Sequence, residues 1–357
     1  MEFAPGTKWN YNNSGYFLLG YIIEKVSGKT YPEYVEENFF KTLGMTNSYY
    51  GSDSKIIKNR AAAYSKNEKG FVNAEPLSMT LPYAAGSLQS TVEDLFKWNL
   101  ALHSYKLVKQ ESLDKAFTPY VLSDGKKTDY GYGWSIGKIQ GSPTIEHGGG
   151  IPGFLTMGTY LPNEDVFVAV FSNCDCNPPE ELATKLAALA IGKPFEYKEM
   201  KVDSNELKKL TGVYEKEGGD EQRFITFTDN QLFSQRNKST KFKIKPYEKD
   251  KFFFESMMNT IEFTRNKSGD VDKLIFKNKG EPTIWNKTNK PVPTVMEIDV
   301  DESILDTYVG DYELGPNFIL TVTKEKNQLI TQATGQGKIE IFAETETKFF
   351  VKVMDAQ

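Results

Sequence analysis

Phe3-Ala4-Pro5-Gly6-Thr7-Lys8-Trp9-Asn10-Tyr11-Asn12-Asn13-Ser14-Gly15-Tyr16 opens the chain and runs into Phe17-Leu18-Leu19-Gly20-Tyr21-Ile22-Ile23-Glu24-Lys25-Val26-Ser27-Gly28. Pro5-Gly6 marks a turn. Leu18, Leu19, Ile22, Ile23 and Val26 recur with a 3.6-residue period, which predicts a helix capped by Asn13 or Ser14 and ended by Gly28. Tyr11 and Asn13 stand two apart in the segment entering that helix. In an extended segment such residues point to one side, so a phenol and a carboxamide can converge on one pocket. A phenol accepts protons near neutral pH only if its pKa is lowered, usually by cations. It could then take a proton from a hydroxyl nucleophile and return it to a leaving group. A tyrosine-rich turn followed by a helix cap would fit the same residues.

Outward from this stretch, Thr30-Tyr31-Pro32-Glu33 has the capping-box pattern of a second helix reaching about Phe40. Residues 51–80 are polar and irregular. Ala85-Gly86-Ser87-Leu88 leads into a third helix with Thr91 as cap and Asp94 at its third position. From Gly131 the period changes to two, and Tyr132–Ile139, Thr144–His147, Phe154–Leu161 and Val166–Ser172 read as consecutive strands. Asn163-Glu164-Asp165 is the turn between the last two. A closing helix follows over Glu180–Ile191, ended by Gly192. Helices followed by an antiparallel meander predict an α+β domain over 1–195 rather than a parallel α/β one.

Beyond Gly192 the chain turns into a Lys/Glu-rich linker and then strand-and-turn sequence with an internal repeat. Leu210-Thr211-Gly212-Val213-Tyr214 returns as Tyr308-Val309-Gly310-Asp311-Tyr312, Asn230-Gln231-Leu232 as Asn327-Gln328-Leu329, and Phe252-Phe253 as Phe349-Phe350. Three landmarks, each about 97 residues apart, predict two copies of a small all-β module, a barrel-like one over 205–290 and a second over 303–357. The second copy ends at Gln357 before any counterpart of Ile261-Glu262-Phe263, so it is expected to be incomplete.

Composition sets outer bounds. With 357 residues, 39% hydrophobic and 13% aromatic, there is material for two or three packed domains. The net charge of −5, with acidic residues interleaved in both lysine clusters, argues against a nucleic-acid partner. No apolar run is long enough to cross a membrane, and no signal peptide is visible. Cys174 and Cys176 read as incidental thiols, with a local disulfide or a metal site as alternatives.

His147-Gly148-Gly149-Gly150 is a more specific motif. Glycines following a strand let a substrate backbone approach and leave N–H groups free to face a developing oxyanion. The adjacent histidine can carry charge or hydrogen-bond a carboxylate, although a glycine-rich hairpin with an incidental histidine fits equally. The same string occurs in lipase oxyanion loops, but those need a downstream Gly-x-Ser-x-Gly elbow, which this chain lacks. His103, the other histidine, reads as a surface cation at a helix C-terminus.

Taken together, Phe-x-Pro-Gly, Tyr11-x-Asn13, Leu18–Gly28, Leu43-Gly44-Met45, Ala85-Gly86-Ser87-Leu88 with Asp94, and His147-x-Gly149 followed by Gly153-Phe154 resemble the serine β-lactamase and penicillin-binding family, class C type. The resemblance covers about residues 1–192. It implies that Tyr11 is the general base or proton relay, that Asn13 helps position substrate, and that His147 binds a substrate carboxylate. Gly150 would supply one oxyanion N–H, with Gly148 and Gly149 beside it. It implies acylation of a serine, then attack by water or another acceptor, on D-alanyl peptides, β-lactams or small esters and amides. Neither metal nor cofactor is implied, and the whole protein would be exported.

The family's Ser-x-x-Lys nucleophile precedes Tyr-x-Asn. The Ser-x-x-Lys strings of this chain, Ser52–Lys55 and Ser112–Lys115, both follow it, so the chain is expected to be cut short at its N-terminus and to lack the nucleophile. The alternative is a non-catalytic relic or binding module that keeps the pocket walls. A further reading makes the C-terminal modules the functional part; these resemble lipocalin-like β modules and would bind a cell-wall or lipid ligand.

Overall fold

The computed structural model describes residues 2–52, 54–237, 241–293 and 299–351. The chain forms two compact units, residues 1–196 with 279–281, and residues 197–278 with 282–357.

The first unit is α+β. Its elements are α1 (Asn13–Ser27), α2 (Tyr31–Val35) continued by a wider π turn over Glu36–Lys41, β1 (Tyr49–Tyr50), β2 (Tyr64–Asn67), β3 (Gly70–Asn73), β4 (Leu88–Gln89), α3 (Val92–His103), α4 (Gln110–Ala116), β5 (Ser135–Ile139), β6 (Ser142–Ile151), β7 (Phe154–Leu161), β8 (Val166–Ser172) and α5 (Glu180–Ala190). Strands β5-β6-β7-β8 make one antiparallel sheet in that order. Local chemistry explains the helix ends. Asn12, rather than Asn13 or Ser14, caps α1: it is extended, and its Oδ1 accepts from the Gly15 N–H at 3.1 Å. Asn13 is therefore the first helical residue. Gly28 closes the helix at φ 71°, a left-handed conformation that costs glycine little. The Thr30–Glu33 capping box forms as its sequence predicts.

The sheet is covered on both faces. Val166 and Val168 of β8, with Ile139 and Leu161, pack on Ala187 and Ala188 of α5. Phe167 points the other way and stacks on Phe96 of α3. Residues 51–80, read as irregular, include the β2–β3 hairpin, and Tyr64 bridges to Cys174 just after β8. Cys174 and Cys176 are not free thiols. The chain turns tightly there, with the Asn177 N–H donating to the Cys174 carbonyl, and the pair is bridged by a disulfide at a Cα–Cα distance of 5.1 Å. His103 is likewise corrected. It ends α3 but stacks on Tyr160 at 3.8 Å, and burial lowers its pKa, so it is not a surface cation.

The periodic apolar face of α1 is only partly covered. Ile23 joins the cluster of Tyr31, Val35, Phe40 and Met45, whereas Leu18, Leu19, Ile22 and Val26 remain exposed, Val26 to 83%. Val92, Phe96 and Leu100 of α3 and Leu182, Leu186 and Leu189 of α5 are also exposed. Among the described residues, no strand pairs with the outer edge of β8. Burying one such leucine contributes roughly 2 kcal/mol, and an open strand edge is a template for pairing. The 357-residue chain is therefore expected to self-associate at micromolar concentration. Sedimentation velocity checks this: Phe96→Glu with Leu186→Glu should shift the population toward monomer.

Asp94 fastens the helical layer. Fully buried, its carboxylate accepts from the Asn47 N–H at 2.7 Å, the Ser48 hydroxyl at 3.0 Å and the Lys97 ammonium at 2.7 Å. Burial raises its pKa, but the Lys97, Asn47 and Ser48 bonds outweigh burial and hold it below the ordinary value. A depressed folded pKa means stability that is complete above the unfolded value, about 4, and is lost as pH falls through the folded one. Asp94→Ala should cost about 3 kcal/mol at pH 7, because it orphans buried donors. Thermal melts between pH 7 and pH 2 should show the difference from wild type shrinking below pH 4.

The second unit is all-β with two short helices. It holds α6 (Ser204–Lys209), β9 (Gly212–Lys216), β10 (Gln222–Thr228), β11 (Gln231–Arg236), β12 (Lys241–Glu248), β13 (Lys251–Phe254), β14 (Asn259–Arg265), β15 (Val271–Asn278), β16 (Glu281–Lys287), α7 (Glu302–Asp306), β17 (Gly310–Gly315), β18 (Phe318–Glu325), β19 (Gln328–Ala333), β20 (Ile339–Thr345) and β21 (Lys348–Phe350). Strands β9–β16 close into a barrel around Tyr214, Ile225, Leu232, Phe252 and Trp285; β17–β21 form a five-stranded sheet. The sequence repeat is a structural one. Asp203 and Asp301 cap equivalent helices, and the Tyr214 and Tyr312 hydroxyls donate to the Leu210 and Tyr308 carbonyls, each four residues back. Leu232 and Leu329 are both buried. The end of the second repeat, residues 352–357, lies outside the described residues.

Candidate functional site

The site begins with where one strand stops. β5 pairs with β6 from Ile139↔Ser142 to Ser135↔Glu146 and no further. On its other side β6 continues against β7 through His147↔Gly158, Gly148↔Met157, Gly149↔Thr156 and Gly150↔Leu155. The expectation of glycines after a strand is thus corrected, because Gly148, Gly149 and Gly150 lie inside β6. They occupy the stretch whose second edge has no partner strand among the described residues, where outward N–H and C=O groups are available to an incoming backbone. Packing explains two of the glycines: a Cβ on Gly149 would sit 2.7 Å from Thr156 Oγ1, and one on Gly150 would sit 3.1 Å from Leu155 Cδ2.

A bend frees that edge. The chain before β5 folds over itself, with the Gly131 N–H donating to the Trp134 carbonyl and the Tyr132 N–H to the Ala116 carbonyl, each at 2.8 Å. Gly133 takes φ 80° and lies against the Tyr16 hydroxyl. Gly131 is squeezed hardest, since a Cβ there would meet the Ala116 carbonyl oxygen at 2.1 Å. The bend delivers Tyr130 to the His147–Gly150 motif, its hydroxyl 2.7 Å from His147 Nε2. His147 Nδ1 lies 2.5 Å from the Gly148 carbonyl oxygen.

Tyr11 reaches the same place from the other side. Its ring lies 6.0 Å from His147 and 6.0 Å, edge-on, from Tyr130, while Trp9 lies 5.4 Å from Tyr130. The structure therefore brings together Tyr11 and His147, which are far apart in sequence. Asn13 starts α1 two residues on and is exposed, as are Gly148, Gly149 and Gly150. Burial, then Tyr16 and Tyr11, raises the Tyr130 pKa, and burial, then Tyr11, raises that of Tyr16. Both stay protonated at neutral pH. Tyr130 was not among the residues singled out from the sequence. Its available signal was Tyr130-Gly131-Tyr132-Gly133, where glycine alternates with tyrosine and a sharp bend can present a ring.

Neither Ser-x-x-Lys string forms a nucleophile pair. Ser52 Oγ accepts from the Ser54 and Lys55 N–H groups in a local turn, and the Lys55 ammonium lies over the Tyr49 ring. Asp53, between them, lies outside the described residues. Lys115 is paired with Glu111 rather than Ser112. Among the described residues, no group of His, Cys, Asp and Glu is arranged to hold a metal ion.

Comparison with known proteins agrees with this architecture. Residues 1–192 match the β-lactamase family, and residues 295–357 match a domain of unknown function, DUF3471. The chain belongs to the β-lactamase family. It is 24% identical over 309 residues to a penicillin-binding protein of Bacillus subtilis (strain 168), covering 78% of this chain and 66% of that protein. It is 22% identical over 198 residues to a D-aminopeptidase of Gluconobacter oxydans (strain 621H), covering 55% of this chain and 37% of that protein. The chain thus spans less than two thirds of the length of either relative. The octameric penicillin-binding protein homologue from Pyrococcus abyssi superposes with a TM-score of 0.48 at 23% identity, covering 92% of this chain and 64% of that one.

Gly131 offers a test of how the site is held. Gly131→Ala forces a methyl into the Ala116 carbonyl, so the bend must shift. We expect a loss of about 1–3 kcal/mol in denaturant unfolding, with loss of the Tyr130–His147 hydrogen bond in the histidine ring NMR signals. Gly218→Ala, a substitution at an open turn glycine in the second unit, should leave those signals unchanged.

Proposed function

We propose that the complete protein is a serine hydrolase that works through an acyl-enzyme on D-alanyl peptides, β-lactams or small esters and amides. The observation that carries this reading is the meeting of Tyr11 and His147 beside the open edge of β6. In this reading the substrate backbone lies along that edge. The Gly150 N–H is one oxyanion donor, Asn13 orients substrate, and Tyr11 relays the proton of the nucleophile. The relatives named penicillin-binding protein and D-aminopeptidase support this reaction class. In this reading the family's Ser-x-x-Lys serine and lysine would precede Tyr11, whereas both such strings within residues 1–357 follow it. That lysine would also be the cation a phenolic base requires. The Cys174–Cys176 disulfide fits an exported protein, because disulfides persist in oxidising compartments.

Labelling with a fluorescent penicillin and a fluorophosphonate tests the proposal. Residues 1–357 alone should not be acylated. The reading frame extended upstream through a Ser-x-x-Lys should label stoichiometrically, and Tyr11→Phe should slow that labelling by about 100-fold or more. Acylation of residues 1–357 would place the nucleophile within them. A reading frame with no Ser-x-x-Lys upstream would favour the binding-module alternative.

A further inference from the structure

The Tyr130–His147–Gly148 hydrogen bonds have a direction. The Gly148 carbonyl oxygen can only accept, so His147 Nδ1, 2.5 Å away, carries the hydrogen. In a neutral imidazole the other nitrogen is then bare and can only accept. Tyr130, 2.7 Å from Nε2, supplies that hydrogen bond, and its half-buried phenol keeps its proton at neutral pH. Tyr130 is itself fixed, because its ring packs on Trp9 and Tyr11 and its carbonyl accepts from the Tyr120 N–H at 3.0 Å.

We propose that Tyr130 is a positioning residue that holds His147 as the neutral Nδ1–H tautomer, and that this wall of the pocket accordingly receives an N–H-bearing substrate group in preference to a carboxylate. With both ring nitrogens engaged, the neutral His147 ring offers a substrate no free N–H. The Tyr130 oxygen, its hydrogen committed to Nε2, presents lone pairs only. A carboxylate meets those lone pairs with its own, whereas an amide or amine N–H donates to them. For a neutral ring the tautomer follows from the two hydrogen bonds of His147; the substrate preference also rests on the hydrolase reading above.

The tautomer is read by nitrogen-15 NMR of the histidine-labelled 357-residue chain at a pH where the imidazoles are neutral. The chain has only two histidines, and His103→Gln assigns the other set of signals. Wild-type His147 should be predominantly Nδ1–H, and Tyr130→Phe, which keeps the ring packing, should move it toward Nε2–H. A wild-type His147 that is predominantly Nε2–H, or a Tyr130→Phe spectrum unchanged from wild type, overturns the positioning role. In the nucleophile-containing protein, N-acetyl-D-alanyl-D-alaninamide should be turned over with kcat/KM on the order of tenfold above N-acetyl-D-alanyl-D-alanine, the size of one hydrogen bond made or left unmade. Tyr130→Phe should collapse that ratio. A ratio favouring the carboxylate overturns the substrate preference. Failure of the nucleophile-containing protein to be acylated or to turn over either peptide unseats the hydrolase reading, while the tautomer result still decides the positioning role.

Discussion

The geometry of the candidate site depends on one backbone event, the ending of β5 at Ser135 while β6 continues to Ile151. An antiparallel strand flanked on both sides has no free hydrogen-bonding edge. Had β5 extended by four more residues, His147–Gly150 would be interior ladder and closed to any ligand backbone. The ending is enforced by the contact of Gly131 with the Ala116 carbonyl and by the left-handed turn at Gly133. The same bend swings Tyr130 onto His147, so opening the edge and fixing the histidine are one structural act.

Around that event the first unit is built in layers that leave much apolar surface uncovered. The small Ala183, Ala187 and Ala188 let α5 sit close on β7 and β8, while Phe96 and Phe167 hold α3 on the opposite face. The leucines on the outer faces of α1, α3 and α5 have nothing over them among the described residues. The second unit is more self-contained. Its barrel has no unpaired edge, and it encloses a packed interior in which Arg223, buried, donates to Ser234 and lies over Phe276 and Trp285.

The legible parts of the fold were those set by local chemistry. Thr30 with Glu33, Thr91 with Asp94 and Gly28 ended or began helices where the sequence placed them, because capping is decided within four residues. The alternation from Phe154 to Leu161 and from Val166 to Ser172 gave those two strands their observed limits. The cap of α1 slipped by one, since Asn12, Asn13 and Ser14 are all competent and only the backbone conformation chooses among them. The length of β6 was misjudged because glycine carries no period-two signal, although a well-placed partner strand will pair with it. His103 and the Cys174–Cys176 pair were misread for a related reason. Stacking on Tyr160 and the turn at Asn177 are contacts that a one-dimensional pattern does not contain.

By itself the sequence determined the class of the protein, through ordered motifs between Phe3 and Phe154, and the duplication of the β module, through three landmarks at one spacing. Both are properties of residue order, which survives whatever the chain folds against. Tertiary structure alone decided that Tyr11 and His147 meet, that the glycines of His147–Gly150 lie along a free strand edge, and that Tyr130 completes the group. These facts depend on the register between β5 and β6 and on the close approach of Gly131 to a carbonyl fifteen residues upstream in the chain. Such distances exist only once the backbone has closed on itself.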